Sequence, residues 1–350
     1  MIPEIGTLLR FAAEQNASDL HLSAGEAPML RVHGQLRRID LPALSADQVH
    51  QLVFAVMNDA QRRSFQETLE ADFAYALDDA LRFRVNAFVH NRGEGAVFRT
   101  IPKKIPRFED LGLPSVLRSF CTAEKGLCLV TGPTGSGKST TLAAMIDCIN
   151  ANRAGHILTL EDPIEFVHPS RRCLVNQREV GAQTRSFAAA LRSALREDPD
   201  VILVGELRDL ETIGLALTAS ETGHLVFGTL HTASAPKTID RIIDVFPADQ
   251  QAQVRVMLAE SLLGVVAQAL IPKRGGGRAA AHEVLIGTPA IKNLIRENKT
   301  HQIGSAIQVG GKFGMQTMEA SVGDLIARNV VAPGDAHAAL GKQSPAEAAR

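Results

Sequence analysis

Gly132-Pro133-Thr134-Gly135-Ser136-Gly137-Lys138-Ser139-Thr140 fits the phosphate-loop pattern G-x-x-x-x-G-K-[ST]. An apolar run of strand length, Leu127 to Thr131, precedes it, and Leu142, Met145, Ile146 and Ile149 follow at helical spacing. Strand, glycine loop and helix is the context this motif needs. Glycines let backbone N–H groups turn toward phosphate oxygens, and the helix N-terminus adds a favourable dipole for an anion. The spacing predicts a nucleotide site, with Lys138 at the β- and γ-phosphates and Ser139 on Mg²⁺. The whole stretch from Gly132 through Thr140 counts as nucleotide-binding.

The 350 residues suit two domains, and 45% apolar content is ample for sizeable cores. Aromatics make up only 4%, so the cores are aliphatic, as parallel α/β sheets favour. With 37 basic and 38 acidic residues, the chain is not built as an electrostatic nucleic-acid binder. Cys121, Cys128, Cys148 and Cys173 form no C-x-x-C pair, so neither structural zinc nor a disulfide framework is expected, and a reducing cytoplasm is the default. Cys128 reads as a small buried hydrophobe. No secretory leader and no integral membrane segment is expected, since the N-terminus lacks the pattern and no apolar stretch is long enough to span a bilayer.

Outside the loop, the fold class reads as α/β with an α+β domain in front. Residues 1–101 form a sheet with helices, of the small sensor-like kind called PAS-like. A first helix holds Ile5, Leu8 and Leu9, and a hairpin turns at His33-Gly34 between Met29–Val32 and Gln35–Ile39. Ser45 with Gln48 makes a capping box, and a second helix runs from about Asp59 to Leu69. Strands carry Phe73, Tyr75 and Leu77, then Phe83, Val85 and Ala87 after a turn at Asp78-Asp79, then Ala96 to Ile101. Residues 102–114, with Pro102, Pro106 and Pro114, read as a linker.

Residues 115–350 alternate strand and helix, the doubly wound pattern of a RecA-like core. Strands are predicted at Leu127–Thr131, His156–Leu160, Val201–Val204 and Leu225–Thr229, with helices at Ser186–Arg196 and Leu210–Thr222. A long helix is predicted from Asp249 to about Leu270. Gly275-Gly276-Gly277 makes a hairpin or loop, a small helical region includes Pro289 to Glu297, and the tail from about 332 is expected to be loosely ordered.

Two acidic clusters fall at strand C-termini, where α/β ligand sites form. They are Glu161-Asp162-Pro163-Ile164-Glu165 and Gly205-Glu206. Glu206 occupies the Walker B position, although Gly205 replaces the usual Asp before it. Glu206 then serves Mg²⁺ or its water, and Glu165 is the better candidate for the base on the attacking water, although spacing alone does not separate the two roles. His231 ends a strand at the same edge, where a neutral imidazole can sense the γ-phosphate. His224 precedes that strand and is a candidate nucleotide contact. For either histidine, a purely structural role is the competing reading.

The run Glu161-Asp162-Pro163-Ile164-Glu165-Phe166 resembles the Asp box of the secretion ATPase superfamily. Leu195 to Asp200 with Gly205 to Asp209 resembles its Walker B region, and Thr222-Gly223-His224 through Thr232 its His box. Ser18-Asp19-Leu20-His21-Leu22 and Ala290-Ile291-Lys292-Asn293-Leu294-Ile295-Arg296 are similar to motifs of the type IV pilus retraction ATPases within it. The longer N-terminal domain and four-cysteine zinc element of extension and secretion ATPases are missing. Lys292 stands where the retraction ATPases usually carry Arg, and Gly214 replaces a bulkier, often basic residue.

The resemblance implies an ATP-hydrolysing homohexameric motor in the cytoplasm, peripheral at the inner-membrane pilus base. There it would act on the pilus platform protein to draw pilin from the fibre and power twitching motility. It also implies that Arg84 and Arg99 reach nucleotide, with Arg82 beside Arg84 on one strand face. The alternatives are a related ring ATPase of secretion or of nucleic-acid translocation, which the scarcity of stacking aromatics disfavours, and a silent assembly subunit, which intact Lys138, Glu165 and Glu206 disfavour. A GTPase is disfavoured because Asn298-Lys299-Thr300-His301 lacks the acid of N-K-x-D.

Overall fold

The computed structural model describes residues 3–32, 34–78, 81–101 and 104–339. Contacts divide the chain into two compact units, residues 1–104 with 163–167, and residues 105–162 with 168–350.

In the first unit α1 (Ile5–Glu14) leads into β1 (Asp19–Ser23), β2 (Met29–Val32), β3 (Gln35–Arg38), α2 (Ala46–Phe54), α3 (Asp59–Thr68), β4 (Glu70–Ala76), β5 (Arg82–His90) and β6 (Gly93–Ile101). Among the described residues the strands form an antiparallel sheet in the order β3-β2-β1-β6-β5-β4. The Ser45–Gln48 capping box is present, and Asn58 with Gln61 makes a second one on α3. Strand alternation sends Leu20, Leu22, Phe83, Val85, Ala96 and Phe98 into one core with the helices. The opposite sheet face carries Asp19, Arg31, Arg84 and Arg99, since Asp19 pairs with Arg31 and Arg99, and Arg84 with Arg99. β1 was not foreseen as a strand. The predicted turns at His33 and Asp79 and the start of the linker at Pro102 lie outside the described residues.

The second unit opens with α4 (Phe108–Leu111), α5 (Leu117–Thr122), β7 (Gly126–Thr131), α6 (Lys138–Asn152), β8 (Gly155–Glu161), β9 (Cys173–Glu179), α7 (Phe187–Ala194), β10 (Val201–Val204), α8 (Leu210–Glu221), β11 (Leu225–Leu230), α9 (Ala235–Asp244) and α10 (Gln251–Ser261). It ends with β12 (Leu262–Pro272), β13 (Arg278–Ile286), α11 (Pro289–Arg296), α12 (Ile303–Val309), α13 (Met318–Ala327) and α14 (Pro333–Ala339). The sheet order is β13-β12-β7-β11-β10-β8-β9, parallel except for β13. Helices cover both faces. Leu127 and Leu129 of β7 pack with α7 to α12, while Cys128 and Val130 pack with α4, α5 and α6. Cys128 is fully buried, and burial pushes its thiol up.

Two expectations are corrected. The helix predicted to reach Leu270 stops at Ser261, and Leu262–Pro272 is strand β12. The run Leu262-Leu263-Gly264-Val265-Val266-Ala267 is apolar on both sides, so periodicity does not separate a buried strand from a helix there. Gly264 lets the sheet close, because a Cβ there would lie 2.4 Å from the Phe120 ring and 2.5 Å from the Leu285 carbonyl. The tail is not loose from 332. α14 packs Ala336 against Ile271 and Val322, and the remainder, residues 340–350, lies outside the described residues. β9 and β13 were also not foreseen.

His282 on β13 and His168 are buried, and burial pushes both imidazoles down to about 4. The folded chain keeps them neutral while the unfolded chain protonates them near pH 6.5. Their contribution is therefore present above about pH 6.5 and lost as the pH falls toward about 4, by up to about 1.4 kcal/mol per histidine per pH unit. Urea unfolding between pH 7.5 and pH 4.5 should show this loss, and a His282→Leu variant should show a shallower slope.

Candidate active site

β7 pairs with β11 from Gly126↔Leu225 to Thr131↔Leu230, so the loop after β7 lies beside the loop after β11. β10 lies on the other side of β11, so its C-terminal end opens to the same edge. Register thus brings the phosphate loop, Glu206 and His231 to one end of the sheet, where α/β folds bind ligands.

Glycines shape the phosphate loop. Gly137, the N-cap of α6, has φ +88°, a left-handed conformation that glycine adopts without strain. No side chain caps α6, so its first turn opens into the loop. Lys138 is buried, and its Nζ donates to the carbonyls of Gly132 (2.8 Å) and Pro133 (3.1 Å). Ser136 is buried, and its Oγ has no hydrogen-bond partner among the described residues. A buried hydroxyl without a partner inside a glycine nest suits a ligand that brings its own acceptor oxygens. A cavity of about 470 Å³ opens beside Gly137, Thr140 and Thr141, with Leu270, Arg278 and Leu325 among its walls.

Glu206 lies just past β10. Its Oε1 accepts from Arg208 Nε at 2.6 Å and lies 3.0 Å from His231 Nε2. Burial raises this carboxyl, but the Arg208 hydrogen bond and charge, with His231 beside it, outweigh burial and hold it below the usual carboxylate range. Asp162 adds negative charge near Arg208. Glu161 accepts from Thr159 Oγ1 at 2.6 Å and Gln177 Nε2 at 3.1 Å. Gly205 is required by close packing, because a Cβ there would lie 3.1 Å from the Leu160 carbonyl. The Ser139 hydroxyl and the Glu206 carboxylate are hard oxygen donors that fit Mg²⁺, an ion that takes its other ligands from phosphate and water. No cluster of three or more His, Cys, Asp or Glu among the described residues could hold a metal by itself.

His224 does not join this group. It precedes Leu225, and the six residues of β11 separate it from His231, or about 23 Å at the rise of a parallel strand. Its Nδ1 lies 3.0 Å from the Ala219 carbonyl, at the C-terminal end of α8. The assignment of His224 to this chain's own nucleotide is thereby corrected: the residue closes a helix end. Glu165 lies in residues 163–167, which group with the first unit, and is half-buried. In that unit Arg99 Nε donates to buried Asp19 Oδ1 at 2.9 Å, and Arg84 grips Asp72 through Nε (3.1 Å) and Nη2 (2.5 Å).

Sequence reasoning missed Arg208, Gln268 and Arg278. Arg208 was quoted only within a motif. Arg278 Nη1 reaches the Gly135 carbonyl at 3.4 Å from a strand far along the chain, and no local pattern announces it.

A profile of the type II/IV secretion system protein family matches residues 1–275. The chain belongs to that family. It is 62% identical over 328 residues to the type IV pilus retractation ATPase PilT of Pseudomonas aeruginosa, covering 94% of this chain and 95% of that one. It is 57% identical over 328 residues to the twitching motility protein of Neisseria gonorrhoeae, covering 93% and 88%. A crystal structure of the pilus retraction motor PilT with bound ADP superposes with a TM-score of 0.90 at 47% identity, covering 99% of each chain. This secretion-system family assignment agrees with the observed fold, an N-terminal PAS-like unit followed by a RecA-like core.

Proposed function

We propose that this chain is an ATP-hydrolysing motor that powers type IV pilus retraction. The observation that carries the chemistry is the glycine loop, with Lys138 held over two carbonyls and the buried Ser136 hydroxyl without a partner among the described residues. The relatives, one a retraction ATPase of near-equal length, support the biological role. Residues Gly132 to Thr140 bind ATP, Lys138 neutralises the β- and γ-phosphates, and Ser139 and Glu206 hold Mg²⁺. Bound there, Mg²⁺ supplies charge that stabilises the departing phosphate oxygens. Glu165 orients the attacking water, and His231, tied to Glu206, reports on the γ-phosphate. Arg84 and Arg99 act on nucleotide bound by a neighbouring subunit.

In this proposal the domains are 1–101, a linker at 102–114, and the ATPase core from 115 onward. The chain works as a homohexamer at the cytoplasmic face of the inner membrane, against the pilus platform protein. No helix among the described residues is long and apolar enough to cross a membrane. Retraction in cells lacking the chain, restored by the intact gene, tests the role. Normal retraction without the chain would overturn it.

α11 is the proposed output element. Ile291 and Ile295 are buried, and Leu294 packs half-buried against the same core. Lys292 Nζ donates to the Glu260 carbonyl and Arg296 to the Glu260 carboxylate, both at 2.8 Å, so Lys292 makes one contact where the family's usual Arg has a fork. Leu294→Ala should abolish retraction while ATP hydrolysis by the purified protein stays within about twofold, because α11 starts from the sheet edge remote from the phosphate loop. Parallel loss of both activities would mark Leu294 as a packing residue only.

A further inference from the structure

Gln268 is 3% exposed and lies on β12, next to the residue paired with Thr131 at the end of β7. Its side chain therefore faces the phosphate loop from a neighbouring strand. Its Nε2 donates to the Ser136 carbonyl at 2.6 Å, and its Oε1 accepts from Thr141 Oγ1 at 2.7 Å. The amide orientation follows from chemistry, since a carbonyl only accepts and so must meet the NH₂ side. The loop is shaped around this residue. A Cβ on Gly137 would lie 2.8 Å from Gln268 Nε2, and one on Gly132 would lie 2.3 Å from the backbone carbonyl of residue 268.

The consequence comes from the planar peptide. In a trans peptide the C=O and the following N–H point in opposite directions. Holding the Ser136 C=O toward β12 therefore turns the Gly137 N–H away from β12, toward the open side of the loop. Without that anchor, glycines on both sides of Ser136 leave this peptide free to rotate, because Gly135 and Gly137 tolerate either sign of φ.

We propose that Gln268 is a positioning residue of the nucleotide site: anchored by Thr141, it fixes the Ser136–Gly137 peptide so that the Gly137 N–H faces the incoming phosphate. This inference rests on the reading of the loop as a nucleotide site. Gln268 is hydrogen-bonded to the loop backbone and to Thr141, so its effect is expected on binding that ground state and transition state share.

The test uses the full chain and a fluorescent ADP analogue. Gln268→Glu keeps the shape and the Thr141 contact but removes the donor and sets a carboxylate against a carbonyl. Gln268→Met keeps only the volume. Each should weaken analogue binding about tenfold and raise KM for ATP similarly, with kcat changed less than about threefold. A purely structural role would lower thermal stability and the active fraction, but leave the Kd of the folded protein at the wild-type value. Wild-type Kd in folded Gln268→Glu or Gln268→Met would overturn the proposal while the nucleotide reading stands. Failure of the wild-type chain to bind the analogue would overturn both. If Gln268→Met does not fold, the isosteric Gln268→Glu decides.

Discussion

Lys138→Ala should reduce ATP hydrolysis by a factor on the order of 10²–10³ or more, and abolish pilus retraction. The ammonium is buried at the mouth of the loop and satisfied by the Gly132 and Pro133 carbonyls. Nucleotide offers anionic phosphate oxygens in their place, so that both donor and acceptor carry charge. The lysine is thus stored where it will act, at little reorganisation cost. Lys138→Arg should not rescue, because a planar fork does not replace a compact point charge in a closed nest. Phosphate release from purified protein measures the effect, with circular dichroism as the folding control. Activity of folded Lys138→Ala within about fivefold of wild type would remove the lysine from the mechanism.

What the sequence revealed of this site depended on how local each signal is. The strand, loop and helix around Lys138 are contiguous, so composition and spacing sufficed. The positions of Glu206 and His231 at this edge were legible because parallel strands all end there, and each residue lies within two positions of a strand's end. His224 stands before its strand, and so at the other end of the sheet, which its proximity to the His231 strand in the sequence does not convey. β12 was mistaken for helix because a strand buried on both faces carries no period of two. The contacts of Gln268 with the loop and of Asp19 with Arg99 join residues far apart in the chain. Only the strand order brings them together, and no single stretch encodes it. The one sequence trace of the first is Gly137, which leaves room for the Gln268 side chain.

Arg99→Ala should bind nucleotide with nearly wild-type affinity but hydrolyse it about 10²-fold more slowly, an effect larger than that of Arg84→Ala. The structure separates the two arginines. Arg84 lays its fork on Asp72 through two nitrogens, which commits the face best suited to phosphate. Among the described residues Arg99 is held through Nε by Asp19, and its side chain stays 67% exposed, which leaves it accessible to an anion. Asp19 is itself buried and fixed by Ser18 Oγ at 2.7 Å. It therefore orients the guanidinium through Nε. Asp19→Asn should lower turnover in the same direction by a smaller factor, since the amide can still accept from Nε but no longer carries charge. The partner that Arg99 meets is proposed to be ATP on the loop of another subunit, which would make hydrolysis in one subunit depend on the next. Mixing Arg99→Ala chains with Lys138→Ala chains tests this directly. Each should be strongly impaired alone, by different lesions, and a mixed ring would place intact Arg99 beside intact Lys138 at some interfaces. Activity should reappear in the mixture and vanish on dilution below assembly. A mixture no more active than the sum of its parts, at concentrations where rings persist, would confine Arg99 to its own chain and remove the coupling between subunits.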